Sequence, residues 1–249
     1  MLRSALLLSF ALITASAGTY ADDPVKMMTN TWPPYVDQQM PEEGLAVELV
    51  THIFARAGYP VKNTIDTWPR AMEGVRAGLY DVLGAAWRDD ARDAEFVYSE
   101  PYLMNELIVV KRRELQGRFL SIDAMKNARV GLVTDYAYGV DFTEIPGVKL
   151  LYENHIIQNL INLLDNKVDF VVGDRRVIAL QLEEYLKDRR HEIEVVSISL
   201  PPRALYVAGS RSTGRPAKLI TEFNAALLEV KRDGSYQKII EKWRERYEL

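Results

Sequence analysis

Cysteine is missing from all 249 residues. That excludes a disulfide framework, a thiolate metal site, a nucleophilic cysteine and lipid attachment through a cysteine behind a leader. Histidine is nearly as scarce. His52, His155 and His191 are the only three, scattered over predicted helices and polar turns, so neither a metal site nor a Ser-His pair is expected. Gly-x-Ser-x-Gly, a phosphate loop and His-Glu-x-x-His are also absent. No cofactor is expected. Lysine and arginine number 31 against 35 acids and nowhere gather into a face, which argues against nucleic acid as a partner. The longest apolar run, Ala5 to Ala15, is about half the ~20 residues a bilayer span needs.

That run reads instead as the centre of a cleavable signal peptide, residues 1–21. Arg3 precedes it, and Ala15-Ser16-Ala17 and Thr19-Tyr20-Ala21 offer small-residue cleavage sites. Cleavage after Ala21 leaves 228 residues at net charge −5, because Arg3 is the only charge removed. This predicts an exported protein free in solution, without a lipid anchor, and long enough for one large or two small domains.

Short apolar runs alternate with helical patterns, which predicts an α/β protein with mostly parallel sheets. Val25 to Thr29, Tyr80 to Ala86, Leu107 to Val110, Arg129 to Val133, Val168 to Val172, Ile193 to Ile198 and Ala204 to Ala208 read as strands. Lys111-Arg112-Arg113 is expected to close the third of these with charge. Leu45, Leu49, Val50, Ile53, Phe54 and Ala57 recur at helical spacing. Further helices are predicted near Arg70–Ala77, near Tyr136, and over His155–Leu164, Arg175–Leu186, Pro216–Lys231 and Ser235–Tyr247. The two prolines of Trp32-Pro33-Pro34-Tyr35 forbid a helix there.

Four local patterns, in order and spacing, carry a resemblance. They are Trp32-Pro33-Pro34-Tyr35 followed by Gly44; Trp68, Gly78 and Asp81; Arg92 ahead of Tyr98-Ser99-Glu100-Pro101-Tyr102; and Phe223-Asn224, Lys231, Asp233-Gly234 and Tyr236. Over nearly the whole mature length the chain resembles the family 3 extracellular solute-binding proteins, the amino-acid-binding components of ABC importers. The resemblance implies a two-lobed periplasmic-binding-protein-like fold, each lobe a mostly parallel sheet flanked by helices. The second lobe, residues 110–202, would be inserted in the first, residues 22–109 and 203–249, with a two-segment hinge. It also implies a periplasmic monomer that closes on a small ligand, an amino acid or small carboxylate, and passes it to an inner-membrane ABC permease.

In such proteins the counterpart of Arg92 grips the ligand carboxylate. A guanidinium suits that role as a planar donor fork that stays charged; the alternative is a surface arginine paired with Asp89, Asp90 or Asp93. Asp174 follows a buried strand and opens a helix, and the family carries an aspartate here for the ligand ammonium; capping the helix is its alternative role. Trp32 is expected to wall the cleft, with a place in the core as its alternative. Trp68, Trp87, Arg70, Arg88 and Tyr136 complete the candidate set.

Two features depart from the family pattern. Ala86-Trp87 stands where small hydroxyl residues are usual, and Asp135-Tyr136-Ala137 where Gly-Ser/Thr-Thr is usual. A helix N-terminus near Tyr136 would offer backbone N–H groups to an anion, which the charge of Asp135 would oppose. Two other functions stay open. One is a periplasmic enzyme on the same scaffold, similar to the cyclohexadienyl dehydratases, with Glu153, Asp141 or Asp174 as the acid. The other is a ligand-sensing partner of a membrane receptor.

Overall fold

The computed structural model describes residues 23–247; the expected signal peptide lies outside the described residues. The chain runs through β1 (Val25–Asn30), α1 (Leu45–Arg56), β2 (Val61–Asp66), α2 (Trp68–Arg76), β3 (Val82–Trp87), β4 (Phe96–Tyr98), β5 (Leu103–Asn105) and β6 (Leu107–Arg112). It continues through β7 (Arg129–Val133), β8 (Lys149–Glu153), α3 (Ile156–Leu164), β9 (Phe170–Asp174), α4 (Arg175–Tyr185) and β10 (Ile193–Val196). It closes with β11 (Arg203–Ser210), α5 (Arg215–Arg232) and α6 (Ser235–Tyr247).

Two sheets result, and each belongs to one lobe. The first has the order β2-β1-β3-β11-β4, with β5 also paired to β11. The second has the order β10-β6-β9-β7-β8. In the first, β1, β2 and β3 are parallel and only β11 runs against the other strands. In the second, β7, β8 and β9 are parallel and only β6 is reversed. The reversed strand of each sheet is the one that follows a crossing between lobes, so the mostly parallel character and the double crossing are one topological fact.

The strongly apolar strands lie inside the sheets, and β3 and β9 are buried at every residue. The strands absent from the sequence reading are of two kinds. β2 and β8 are sheet-edge strands of mixed polarity and partial exposure, which blurs a period-2 signal. β4 and β5 span three residues each, too short for a pattern.

The basic triplet after Val110 does not end its strand. β6 continues through Lys111 and Arg112, both buried, at 5% and 7% exposure. Arg112 donates to the carbonyls of Leu163 at 2.6 Å and Val168 at 2.7 Å and to Asn166 Oδ1 at 2.6 Å. Lys111 pairs with Glu194 at 2.9 Å. Burial of these charges is tolerable because each is paired. The same strand moves the passage between sheets to Glu106, ahead of the boundary expected at residue 110, because Leu107–Lys111 pair with β9.

The helix expected near Tyr136 does not form. Thr134 and Asp135 make a turn, with Asp135 at φ 62°, and irregular chain leads to a short 3-10 helix at Phe142–Glu144. No helix N-terminus therefore faces the cleft at that point.

Gly44 has a specific steric duty. Its φ is 110°, and a Cβ there would lie 2.4 Å from the carbonyl oxygen of Tyr35. The close approach lets Leu45 and Ala46 donate their amides to the carbonyls of Pro34 and Tyr35, at 3.0 and 2.9 Å. The first turn of α1 thus fastens the Trp32–Tyr35 loop.

Candidate functional site

A cavity of about 100 Å³ lies between the lobes. Asn30, Trp32, Trp68, Ala85, Trp87 and Arg92 line it from the first lobe, and residues 133–137 with Asn154 from the second. Most of these residues sit at or just past strand C-terminal ends, where open α/β sheets present their ligand crevice.

Arg92 is delivered by a short 3-10 helix, Asp90–Arg92, whose cap Asp89 accepts from the Ala91 amide at 3.1 Å. Its guanidinium carbon lies 5.5 Å from the centre of the Trp68 ring, and its nearest acid, Asp89, is 3.6 Å away. Among the described residues its guanidinium donates no hydrogen bond. A largely covered cation with an unused donor fork thus faces the cavity.

The aromatic walls interlock across the lobes. The Trp87 and Tyr136 ring centres are 5.0 Å apart, Trp32 and Tyr136 6.0 Å, and Trp87 and Tyr138 6.5 Å. Trp32 also packs on Tyr35 at 4.5 Å, so it serves as core and as wall together. Its Nε1 is buried without a hydrogen bond of good geometry, although the Tyr136 hydroxyl is close enough to interact with it. Burial pushes the Tyr136 hydroxyl well above the usual phenol range, so the wall stays neutral.

Asp174 is absent from the cavity lining and only 1% exposed. As the cap of α4 it accepts from the Val177 amide at 3.0 Å. Its Oδ1 also accepts from the Tyr35 hydroxyl at 2.9 Å, and Oδ2 from Asn105 Nδ2 at 2.9 Å. Asn105 Oδ1 in turn accepts from Trp87 Nε1 at 3.0 Å. Desolvation raises the Asp174 pKa against the lowering effect of these donors. In this arrangement the carboxylate is spent on the chain's own groups, so the expected ammonium contact has no access.

Arg70 also lies elsewhere. It is absent from the lining, its side chain is 76% exposed, and it meets Asp66 at the end of β2 at 3.5 Å. Arg88 instead holds Asp93 through both Nε and Nη2. Trp32, Trp68, Trp87, Arg92 and Tyr136 are brought together around one cavity.

Sequence reasoning did not single out Tyr35, Asn105 or Tyr138 as parts of the site. Tyr35 is fully buried and stands within the aromatic-proline loop, which was the available signal. Asn105 carries none, because its role depends on three segments meeting.

Two sheets joined by two crossings, with an aromatic cavity and the Arg92 guanidinium between them, define a cleft-type solute-binding protein. The chain belongs to the bacterial extracellular solute-binding proteins, family 3, matched over residues 25–246. It is 27% identical over 184 residues to putative ABC transporter arginine-binding protein 2 of Escherichia coli K12, covering 70% of this chain and 67% of that one. It is 22% identical over 202 residues to the L-cystine-binding protein TcyA of Bacillus subtilis 168, covering 80% and 72%. An ancestral arginine-binding protein bound to arginine superposes with a TM-score of 0.75 at 21% identity, over 88% of this chain and 97% of that one. The last similarity establishes the two-lobed fold.

Proposed function

We propose that the chain is a periplasmic solute-binding protein, exported through its N-terminal signal peptide. It captures a small polar ligand, an amino acid or related carboxylate, by closing two lobes and delivers it to an ABC-type importer. The observation that carries this reading is Arg92: a cavity-lining guanidinium with no hydrogen bond among the described residues is a carboxylate receptor in waiting. The relatives named for arginine and cystine binding support the ligand class. The two passages between sheets, at Glu106 and at 197–202, serve as the hinge.

Binding without chemistry is the better reading, because each carboxylate suggested for a dehydratase has other work. Asp141 caps a 3-10 helix and accepts from Thr143, and Glu153 accepts from Asn162 at 2.7 Å. Asp174, the one with a raised pKa, is shut away from the cavity.

A thermal-shift screen of amino acids, polyamines and small carboxylates tests the proposal. A ligand at 100 times its dissociation constant stabilises the folded state by about 2.7 kcal/mol. For a protein of this size that is a rise in Tm of roughly 5–10 °C. The absence of a shift with every carboxylate would overturn it.

A further inference from the structure

We propose that Tyr136, packed across the cleft against Trp32 and Trp87, sets an upper limit on ligand size. The cleft then takes a short carboxylate, of about two or three carbons, and rejects long side chains. This rests on the proposed function and narrows the ligand class for the same cavity. Three observations carry it. First, the space is small. The cavity measures about 100 Å³. An apolar cavity of about 150 Å³ accommodates benzene, so this one holds on the order of four to six heavy atoms, the carboxylate included. Arginine and cystine, for which two relatives are named, each have at least twice as many.

Second, rings from both lobes fill the space beside it. Tyr136 belongs to the second lobe and reaches the first. Its ring centre is 5.0 Å from Trp87 and 6.0 Å from Trp32, and its hydroxyl lies close to Trp32 Nε1. Trp32 and Trp87 meet at 5.3 Å, which closes a triangle of rings. Rings at these separations are in contact, so a ligand chain cannot pass between them.

Third, each ring is backed by further structure. Trp87 Nε1 donates to Asn105 Oδ1 at 3.0 Å, and Asn105 Nδ2 donates to Asp174 at 2.9 Å. Trp32 rests on Tyr35, with ring centres 4.5 Å apart. Behind Tyr136 stands Tyr138 at 5.6 Å, whose hydroxyl accepts from the Val133 amide at 2.7 Å. Close-packed groups of this kind resist overpacking, so a longer ligand meets a wall rather than a space that stretches.

Two series of ligands test the limit on the native protein, by thermal shift and then by calorimetry. One runs from acetate to hexanoate, the other from glycine to norleucine, with arginine added. Expected is binding by the short members of at least one series, and at least tenfold weaker binding of hexanoate, norleucine and arginine. Tyr136→Ala removes the ring and should raise affinity for hexanoate or norleucine at least tenfold over native. Tyr136→Phe keeps the ring and should keep the limit. Tyr136→Leu, a smaller truncation, replaces the alanine variant if that one does not fold. Arginine or hexanoate bound to native protein as tightly as the best short member, or more tightly, would overturn the limit and leave carboxylate capture standing. So would a folded Tyr136→Ala or Tyr136→Leu with no gain for the long members. If no carboxylate binds, the proposed function falls, and the limit with it.

Discussion

The Tyr35 hydroxyl donates to Oδ1 of Asp174 at 2.9 Å, joining the two lobes through groups 139 positions apart. Tyr35 belongs to the loop fastened by α1, and Asp174 caps α4. One hydrogen bond thus connects the entry of a first-lobe helix to the entry of a second-lobe helix. Its removal by Tyr35→Phe leaves a buried carboxylate one donor short. The expected cost is about 1–3 kcal/mol, read from urea unfolding at pH 7. A loss below 0.5 kcal/mol would show that this hydrogen bond contributes nothing to holding the lobes together.

Asp174 also sets a pH dependence. Desolvation raises its folded pKa above the ordinary 3.8, so the folded state holds the proton more tightly than the unfolded chain does. Its contribution favours folding below the ordinary carboxylate pKa and is lost as pH rises through the raised folded value. Asp174→Asn, which carries no titrating group, should therefore gain stability relative to the native protein between pH 4 and pH 8. Parallel unfolding curves across that interval would contradict the raised pKa.

Arg92→Ala should leave the fold intact, because its one acidic partner among the described residues stands 3.6 Å away in a partly exposed pair. Unliganded Tm is expected to change little. Affinity for any carboxylate that stabilises the native protein should fall at least tenfold by calorimetry, since the ligand charge is left unpaired in the cleft. Undiminished affinity would remove Arg92 from the site.

Arg112→Ala tests the buried end of β6. The substitution removes the donor to the Val168 carbonyl, one of the donors to the Leu163 carbonyl, which keeps the Asn166 amide, and one of the two donors to Asn166 Oδ1, which keeps Arg129. A loss of roughly 2–3 kcal/mol is expected from the lost charge-assisted hydrogen bonds, measured by chemical denaturation. Substitution of the exposed neighbour Arg113 serves as the control and should cost well under 1 kcal/mol.

Gly44→Ala places a Cβ against the Tyr35 carbonyl and forces an L side chain to φ 110°. Destabilisation above about 2 kcal/mol is expected, because steric overlap with backbone adds to the strained dihedral. Displacement of the Trp32–Tyr35 loop should accompany it, visible as a change in tryptophan fluorescence of the native state.

The sequence by itself determined the fold class and most of the framework. A fully buried strand such as β3 announces itself as an unbroken apolar run, and the amphipathic period of α1 needs no tertiary information. The resemblance and its motifs also named Arg92 and the aromatic residues that line the cavity. The sequence misjudged what depends on partners. Lys111 and Arg112 look like a charged stop until Glu194 and the Leu163 and Val168 carbonyls arrive from other elements to pair them. Asp174 looks like a free pole until Tyr35 and Asn105, brought from distant segments, occupy it. Tertiary structure decided these cases because a charge's availability depends on the donors and acceptors around it, and those come from segments far apart in the chain.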